Sequence, residues 1–290
     1  MKAAAFDYIR ADNTEHALHL LQQHGGDAKL IAGGQSLVPM MAMRLARPEW
    51  LVDIHRLEEL KVIELAPEHV TLGASVRQCE VERHVELGRR LPLIHQALHW
   101  VGHQQTRNRG TVGGSLAYAD PSAELPLTAL VLGATFHIHS ADNGPSQVAA
   151  EDFFMGPMFT ALGDTDLLHH VDWPLWQGER IGSSFQETAI RHGDFAMASA
   201  ACQVQRDANG RVVRASFGLG GVSGTPLVFS DLAQQLVGQH LNAALAKDVA
   251  HAAAQTCDPG NDMHASADYR RHLAAVLLTR ALLEAVSTKE

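Results

Sequence analysis

The stretch Ile31-Ala-Gly-Gly-Gln-Ser-Leu-Val-Pro-Met-Met41 decides the fold of the N-terminal region. It lies between a strand predicted over residues 28–32 and a helix predicted over 37–45, for which Ser36 is a plausible N-cap. The two adjacent glycines let the backbone approach a ligand closely and turn successive N–H groups toward one point. A helix N-terminus adds partial positive charge, so the ligand that best fits this turn is a phosphate.

The residues around this turn predict a compact βαβ-like unit. A helix capped by Thr14 ends at Gly25-Gly26, and another short strand is predicted at 51–54. Beyond it, strands alternate with helices in a second region. The predicted elements there are strands at 70–72, 135–139 and 167–173, a helix from a cap at Ser75 to Val85, and a helix at 93–101.

The last third of the chain has a different composition. Its strands, at 184–190, 196–205 and 212–219, read as antiparallel, with Asn209-Gly210 as a hairpin turn. Ala- and Leu-rich helices follow at 231–237, 242–254 and 266–286. The change in composition near Gln177-Gly178 predicts three units, residues 1–55, 56–177 and 178–290.

A second glycine-rich stretch, Arg109-Gly-Thr-Val-Gly-Gly-Ser115, follows about 80 residues after the first. Two phosphate-compatible turns would suit a pyrophosphate, as in a dinucleotide. Neither stretch matches GxGxxG or a P-loop, so the spacing alone leaves two tight turns as an equal alternative.

Composition excludes several classes of protein. A net charge of -9 argues against a nucleic-acid-binding surface, and no apolar window is long enough to span a membrane. The first fifteen residues carry three acidic side chains, which is unlike a signal peptide, so we expect a cytoplasmic protein. Three single cysteines, at 79, 202 and 257, cannot supply the four ligands of an iron–sulfur cluster.

Histidine is abundant, and His137 and His139 are predicted to project from one face of a strand. No third ligand is close in sequence. A solvated strand face is therefore favoured over a metal site, and we assign no metal ligands.

Three segments together resemble a known family. Ile31 to Met41 is similar to the first FAD-binding segment of the flavoprotein subunits of molybdenum hydroxylases, which include carbon monoxide dehydrogenase medium subunits and the FAD domain of xanthine dehydrogenase. Residues 107–117 with 119–126 resemble the second segment, and Ile190-Arg-His-Gly-Asp-Phe-Ala-Met-Ala198 resembles the start of the C-terminal domain. Order and spacing agree over nearly the whole chain.

The resemblance implies an α+β fold: a two-subdomain FAD-binding unit of the PCMH/VAO type, then an antiparallel sheet packed on a helical bundle. It implies that Gly33 and Gly34 lie closest to the FAD pyrophosphate, with Thr111 and Ser115 adding hydroxyls. The residues it assigns to FAD binding are Leu30, Ile31, Ala32, Gly33, Gly34, Gln35, Ser36, Leu37, Val101, Gly110, Thr111, Val112, Gly113, Gly114, Ser115, Asp120, Glu124, Leu167, Leu168 and Gln186.

Individual roles follow from the same resemblance. Glu124 would accept hydrogen bonds from ribityl or ribose hydroxyls, and Asp120 is a second candidate that could instead cap a turn before Pro121. Val101 matches a position near the adenine, and Leu167 or Leu168 matches an apolar residue against the isoalloxazine.

The chain departs from several relatives in the segment Ser184-Phe-Gln-Glu-Thr188, where those relatives carry Lys and this chain has Gln186. Without that positive charge we expect a somewhat lower flavin potential, provided that the position lies near the ring. Phe195 is a candidate to shield the ring, with core packing as its other reading.

The resemblance implies an electron-transfer subunit of an oxidoreductase. A small partner with 2Fe-2S clusters would supply electrons, a large partner with a molybdopterin cofactor would hydroxylate the substrate, and the assembly would be a dimer of heterotrimers. Two alternatives stay open: a free-standing FAD-dependent oxidase or reductase, and a non-catalytic protein whose flavin site has decayed.

Overall fold

A computed structural model of the chain describes residues 2–287. The N-terminal region forms a three-stranded parallel sheet in the order β1-β3-β2. Its elements are β1 (Asp7–Arg10), α1 (Thr14–His24), β2 (Ala28–Ile31), α2 (Leu37–Ala42) and β3 (Trp50–Asp53). The predicted βαβ-like unit is therefore present, and α2 begins where the first glycine turn ends.

All three predicted helix caps differ from the observed ones. Asn13, not Thr14, caps α1, because its side-chain carbonyl accepts a hydrogen bond from the N–H of His16 at 2.7 Å. Ser36 makes no side-chain cap bond to α2, although the helix does begin at Leu37. The third predicted cap, Ser75, precedes an irregular stretch, since the next helix begins only at Gln78.

The middle region forms a five-stranded antiparallel sheet in the order β4-β5-β10-β6-β7 and a small hairpin of β8 and β9. Its helices cover one face of the sheet and contribute half of the buried residues of the largest hydrophobic core. In chain order the elements are β4 (Ile63–Leu65), β5 (His69–Gly73), α3 (Gln78–Arg83), α4 (Val85–Arg90), α5 (Pro92–Trp100), α6 (Gln104–Arg107), α7 (Val112–Tyr118), α8 (Glu124–Leu132), β6 (Thr135–Ser140), β7 (Gly144–Ala149), α9 (Ala150–Phe153), β8 (Phe154–Gly156), β9 (Phe159–Thr160) and β10 (Asp166–Pro174).

The last region forms a four-stranded antiparallel sheet in sequential order, packed on helices. Small residues such as Ala200 and Ala281 are fully buried between the sheet and α12, which lets the two approach closely. Its elements are β11 (Ile181–Thr188), β12 (Ala198–Arg206), β13 (Val212–Gly220), β14 (Leu227–Val228), α10 (Ser230–Leu236), α11 (Ala243–Gln255) and α12 (Ala267–Ser287). The predicted α+β architecture, with an antiparallel sheet on helices at the C-terminus, is confirmed.

The hydrophobic core of the middle region extends into the last one. Phe185 and Ala201 of the C-terminal sheet belong to that core. At Gly218, an added Cβ would lie 2.4 Å from the carbonyl oxygen of Leu227 and 2.9 Å from a methyl group of Leu127. The close packing of β13 against α8 therefore fixes the C-terminal sheet beside the N-terminus of α8. No helix within residues 2–287 is long and apolar enough to cross a membrane.

Candidate functional site

A cavity of about 1070 Å³ lies among the three regions. The first glycine turn and the end of β2 form one wall, and the segment from Val101 to Glu124 forms another. The C-terminal region contributes residues around Phe195 and Arg270. The cavity is as large as the upper range of small-molecule sites, which suits a ligand the size of a dinucleotide.

The first turn presents free hydrogen-bond donors to this cavity. Within residues 2–287, the backbone N–H groups of Gly33, Gly34, Gln35 and Ser36 donate to no other group of the chain. Gly34 has φ +69°, a left-handed conformation that turns its peptide relative to its neighbours. Four unpaired donors in succession before a helix are the arrangement that an anion-binding concavity requires.

Gly33 joins the two glycine-rich stretches directly. A Cβ at this position would lie 2.2 Å from the carbonyl oxygen of Arg109 and 2.9 Å from the Cα of Gly110. The side chain of Arg77 donates to that same carbonyl from the other side. Close packing against the backbone of Arg109 therefore requires glycine at position 33. From the sequence, contact with phosphate was the expected reason for this glycine.

The turn from Gly33 to Ser36 and the second glycine-rich stretch, residues 109–115, together form a cradle at the cavity. The second stretch contributes to this cradle in a different way from the first. The N–H groups of Val112 and Gly113 donate to the carbonyls of Val76 and Ala74, both at 2.9 Å. A Cβ on Gly113 would lie 2.4 Å from the Cβ of Ala74. These donors are already used, so this stretch packs behind the first turn and offers side chains, not a run of backbone N–H groups.

Thr111 caps α7, since its Oγ1 accepts a hydrogen bond from the N–H of Gly114 at 3.0 Å. We expect Thr111→Ala to lower the free energy of unfolding by about 1 kcal/mol, the usual cost of losing an N-cap. Urea unfolding of the apoprotein measures the change. Thr111→Ser keeps the capping oxygen and serves as the matched control; equal losses in both variants would contradict the capping role.

Arg107 holds the wall formed by Val101 and Gly102. It is 8% exposed and pairs through two hydrogen bonds with the Glu82 carboxylate, at 3.0 and 3.1 Å. Its Nη1 donates to the carbonyl of Val101 at 2.9 Å and to that of Gly102 at 3.3 Å. A planar guanidinium is suited to such simultaneous contacts, so Arg107 fixes the loop before α6.

Glu124, at the start of α8, is the buried acidic residue of the cavity. Burial, together with repulsion from nearby Asp120, raises the pKa of Glu124 to about 7, although a backbone hydrogen bond and the positive charge of Arg107 oppose the rise. Burial also raises the pKa of Asp120, whose Oδ1 accepts a hydrogen bond from the N–H of Ser122 at 2.9 Å. Asp120 therefore caps the turn at Pro121, which is one of the two roles that the sequence left open, and it also lines the cavity.

A second buried carboxyl group, Glu187 of β11, interacts with Glu124. Burial, with repulsion from Glu124, raises the pKa of Glu187 to about 9. Its Oε2 is buried and has no hydrogen-bond partner within the described part of the chain. Glu187 therefore carries the proton of this pair near neutral pH, which spares the protein two buried negative charges.

Comparison with known proteins places the chain in a family. Residues 4–176 match the family described as FAD binding domain in molybdopterin dehydrogenase, and residues 183–285 match the CO dehydrogenase flavoprotein C-terminal domain. The chain is a member of the FAD-binding subunits of the molybdenum hydroxylases.

Several known proteins are similar to this chain over nearly the whole length of both sequences. The chain is 37% identical to the 6-hydroxypseudooxynicotine dehydrogenase complex subunit alpha of Paenarthrobacter nicotinovorans, over 99% of this chain and 96% of that protein. It is 36% identical to the carbon monoxide dehydrogenase medium chain of Afipia carboxidovorans, with 97% of each covered. A structure of reconstituted CO dehydrogenase from Oligotropha carboxidovorans superposes with a TM-score of 0.96 at 32% identity, covering 100% of both chains. The predictions of an FAD cofactor and of an oxidoreductase subunit are confirmed.

In this FAD-binding subunit most of the residues predicted to bind the cofactor do line one cavity. The turn from Leu30 to Leu37 does so entirely. The others that line it are Val101, Gly110, Thr111, Gly113, Gly114, Ser115, Asp120, Glu124 and Leu168.

Three predicted site residues are not brought to the cavity. Val112 is fully buried in the main core, and Leu167 packs into the core of the N-terminal region. Gln186 lies on the opposite face of β11 from Glu187, where it donates to the Glu284 carboxylate and to the Oγ of Ser184 at 3.3 Å. Gln186 therefore does not line the cavity, and the lower flavin potential expected from a position near the ring does not follow.

Sequence reasoning missed several residues of the FAD-binding subunit that line the cavity. Tyr118 donates to the sulfur of Met40 at 2.9 Å and so connects α7 to α2. From the C-terminal region come Asp262 and Arg270, which pair at 2.6 Å. Arg270 also donates to the carbonyl of Met197 at 2.6 Å. No local motif marks these residues, because they reach the cavity only through packing of distant segments.

Phe195, the candidate for shielding the ring, lies at the cavity and is 72% exposed, so it is not a core residue.

Proposed function

We propose that this chain is the electron-transfer subunit of a heteromeric molybdenum hydroxylase. It takes electrons from 2Fe-2S clusters on a small subunit and passes them to an external acceptor, while a large molybdopterin subunit hydroxylates the organic substrate. The observation that carries the proposal is the run of unpaired N–H donors from Gly33 to Ser36 at the cavity, in a chain whose whole length matches FAD-binding subunits.

The residues present fit FAD. The four N–H donors would bind the pyrophosphate, the Glu124 carboxylate would accept hydrogen bonds from hydroxyls, and Leu168 would pack against the flavin ring. When bound, FAD supplies the redox chemistry, and the protein supplies binding and orientation. No acid–base side chain is required for that task. The division into units 1–55, 56–177 and 178–290 is likewise a proposal, supported by the fact that each of the four sheets lies within one of these ranges.

The cavity margin supports a partner nearby. Met158, Phe159, Ile190 and Phe195 line the cavity and are 52% to 72% exposed. Clustered exposed apolar side chains mark surfaces that other proteins cover. The three cysteines are all buried and are fewer than the four ligands that a cluster usually takes, which supports a cluster on another chain as the electron source. A dimer of heterotrimers and a cytoplasmic location stay predictions of the sequence.

The relatives support the assembly by their names. Similar proteins include a subunit alpha of a dehydrogenase complex, a caffeine dehydrogenase subunit beta and carbon monoxide dehydrogenase medium chains. Each is one chain of a multi-subunit enzyme. We therefore propose the same kind of complex here, with the organic substrate bound by the partner.

Affinity purification of the tagged chain from its native host tests this function. We expect a 2Fe-2S protein and a molybdopterin protein in amounts equal to the tagged chain. The isolated chain should be yellow and should show no turnover with aldehydes, purines or aromatic heterocycles. A monomer whose flavin is reduced by such a substrate in the absence of partners would instead establish the free-standing oxidase, and a colourless chain that takes up no added FAD would indicate a decayed site.

A further inference from the structure

Histidine and aspartate side chains gather on the five-stranded sheet, outside the FAD cavity. Nε2 of His137 lies 2.8 Å from Oδ2 of Asp172, and the His137 ring stacks on His170 with 3.9 Å between centroids. One potential ligand atom from each of these three residues lies within 4.8 Å of the other two. All three side chains are half-buried, so they are held in place and still open to solvent.

Strand pairing brings the three together. His137 of β6 is directly opposite His170 of β10, and Asp172 follows two residues later on the same face. Phe136 and Trp173, the alternate residues, are buried in the core on the other face of the sheet. The third ligand that the sequence around His137 lacks is therefore supplied by a strand more than thirty residues away.

Neighbouring groups orient the three side chains. Thr71 donates its hydroxyl to Oδ1 of Asp172 at 2.5 Å, which leaves Oδ2 directed at His137. Nδ1 of His170 lies 2.8 Å from Nδ1 of His169, so Nε2 is the nitrogen of His170 available to another ligand. Metal-binding side chains in proteins are commonly held by such outer hydrogen bonds.

We propose that His137, His170 and Asp172 form a binding site for a divalent transition-metal ion, with zinc as the best fit. Two imidazoles and one carboxylate are a ligand set that zinc uses, with a fourth position for water. His69 is a further imidazole at this site, with its Nε2 4.0 Å from Oδ1 of Asp172. Ligand atoms around a tetrahedral zinc lie roughly 3.3 Å apart, so the 2.8 Å contact of His137 with Asp172 need open only slightly.

A metal at this site would connect two adjacent strands, β6 and β10, and with His69 also β5. It would stabilise the sheet, because a ligand that binds only the folded state shifts the folding equilibrium toward it. The site is separate from the FAD cavity and does not depend on the proposed function.

Metal titration of the full-length chain tests the proposal. After treatment with EDTA and desalting, zinc binding is measured by calorimetry and cobalt binding by visible absorption. We expect one ion per chain, and at least about a tenfold loss of affinity in His137→Gln and in His170→Gln. His139→Gln is the matched control, since His139 lies on the same strand and face but outside the three ligands. It should bind as tightly as the parent.

Two further measurements keep the result clear if a ligand variant folds poorly. Asp172→Asn alters one ligand with little change in shape, and the melting temperature of the parent should rise with zinc and fall back with EDTA. Flavin content and circular dichroism monitor folding of each variant. Absence of saturable binding in the parent, or binding that His137→Gln and His139→Gln weaken equally, would overturn the proposed site.

Discussion

Gly33→Val is expected to purify with less than about a tenth of the flavin of the parent chain, because the added side chain separates the two halves of the cradle. Its Cβ would lie 2.2 Å from the Arg109 carbonyl oxygen, an overlap with backbone that rotation of a side chain cannot relieve. The first turn would have to move away from Gly110, and the four unpaired N–H groups would no longer converge. The ratio of flavin to protein absorbance in the purified chain measures the loss.

Gly26→Ala is the matched control for this experiment. It lies just before β2, and its added Cβ would come no closer than 3.4 Å to another atom, the Asp164 carboxylate oxygen. It should retain the flavin content of the parent. Circular dichroism of Gly33→Val shows whether the rest of the fold survives. A folded Gly33→Val chain with stoichiometric flavin would refute the cradle formed by the two stretches.

Glu124→Ala is expected to weaken FAD binding by roughly 1–3 kcal/mol, about 5- to 150-fold, because the hydroxyls that the carboxylate would accept are left unpaired. The same residue should make the affinity depend on pH. Its pKa is raised to about 7 in the folded chain, and the ionised form accepts hydroxyl hydrogen bonds more strongly and through both oxygens. FAD should therefore bind more tightly as the pH rises from about 6 to 8. Equilibrium dialysis over this range measures both effects.

The free energy of unfolding of the apoprotein depends on pH in the opposite direction from the FAD affinity. Folded Glu124 holds a proton between its ordinary pKa of 4.5 and about 7, whereas the unfolded chain loses it. Folded protein binds more protons in this range, so the free energy of unfolding falls as the pH rises through it. Glu187 extends the fall toward pH 9, since its pKa is raised to about 9.

Two glutamine variants separate the contributions. Glu124→Gln should remove the pH dependence of FAD binding, whereas Glu187→Gln should preserve it and remove the decline of stability at higher pH. Two results together would contradict a contact between Glu124 and FAD: an FAD affinity of the parent chain that is constant from pH 6 to 8, and an unchanged affinity in Glu124→Ala. Glu124 would then have only a structural role.

Local sequence was sufficient for the two glycine-rich stretches and for many of the strands and helices, whereas α4, α8 and β7 were not predicted. The turn from Gly33 to Ser36 was predicted to present N–H groups because two adjacent glycines, which lack a Cβ, allow the backbone to turn successive N–H groups toward one point. The antiparallel C-terminal sheet followed from strands connected by Asn209-Gly210. Family membership followed from long motifs in order, since their combination is specific even where each turn alone is not.

Helix starts were less reliable, because neighbouring polar residues compete for the same role. Asn13 and Thr14 are both good caps, and only the backbone path shows that Asn13 accepts the bond from His16. Gln186 was placed near the flavin by resemblance alone, whereas the packing of β11 on α12 directs its side chain to Glu284.

By itself the sequence determined the family and the cofactor and predicted which turn would face the phosphates, because these depend on residues close together in the chain. Only the tertiary structure decided why Gly33 must be glycine, that buried Glu124 and Glu187 repel each other, and that Arg270 reaches the cavity. It also placed Asp172 and His170 beside His137. Each of these contacts joins segments many residues apart, and their distances are set by the packing of sheets and helices that no local pattern encodes.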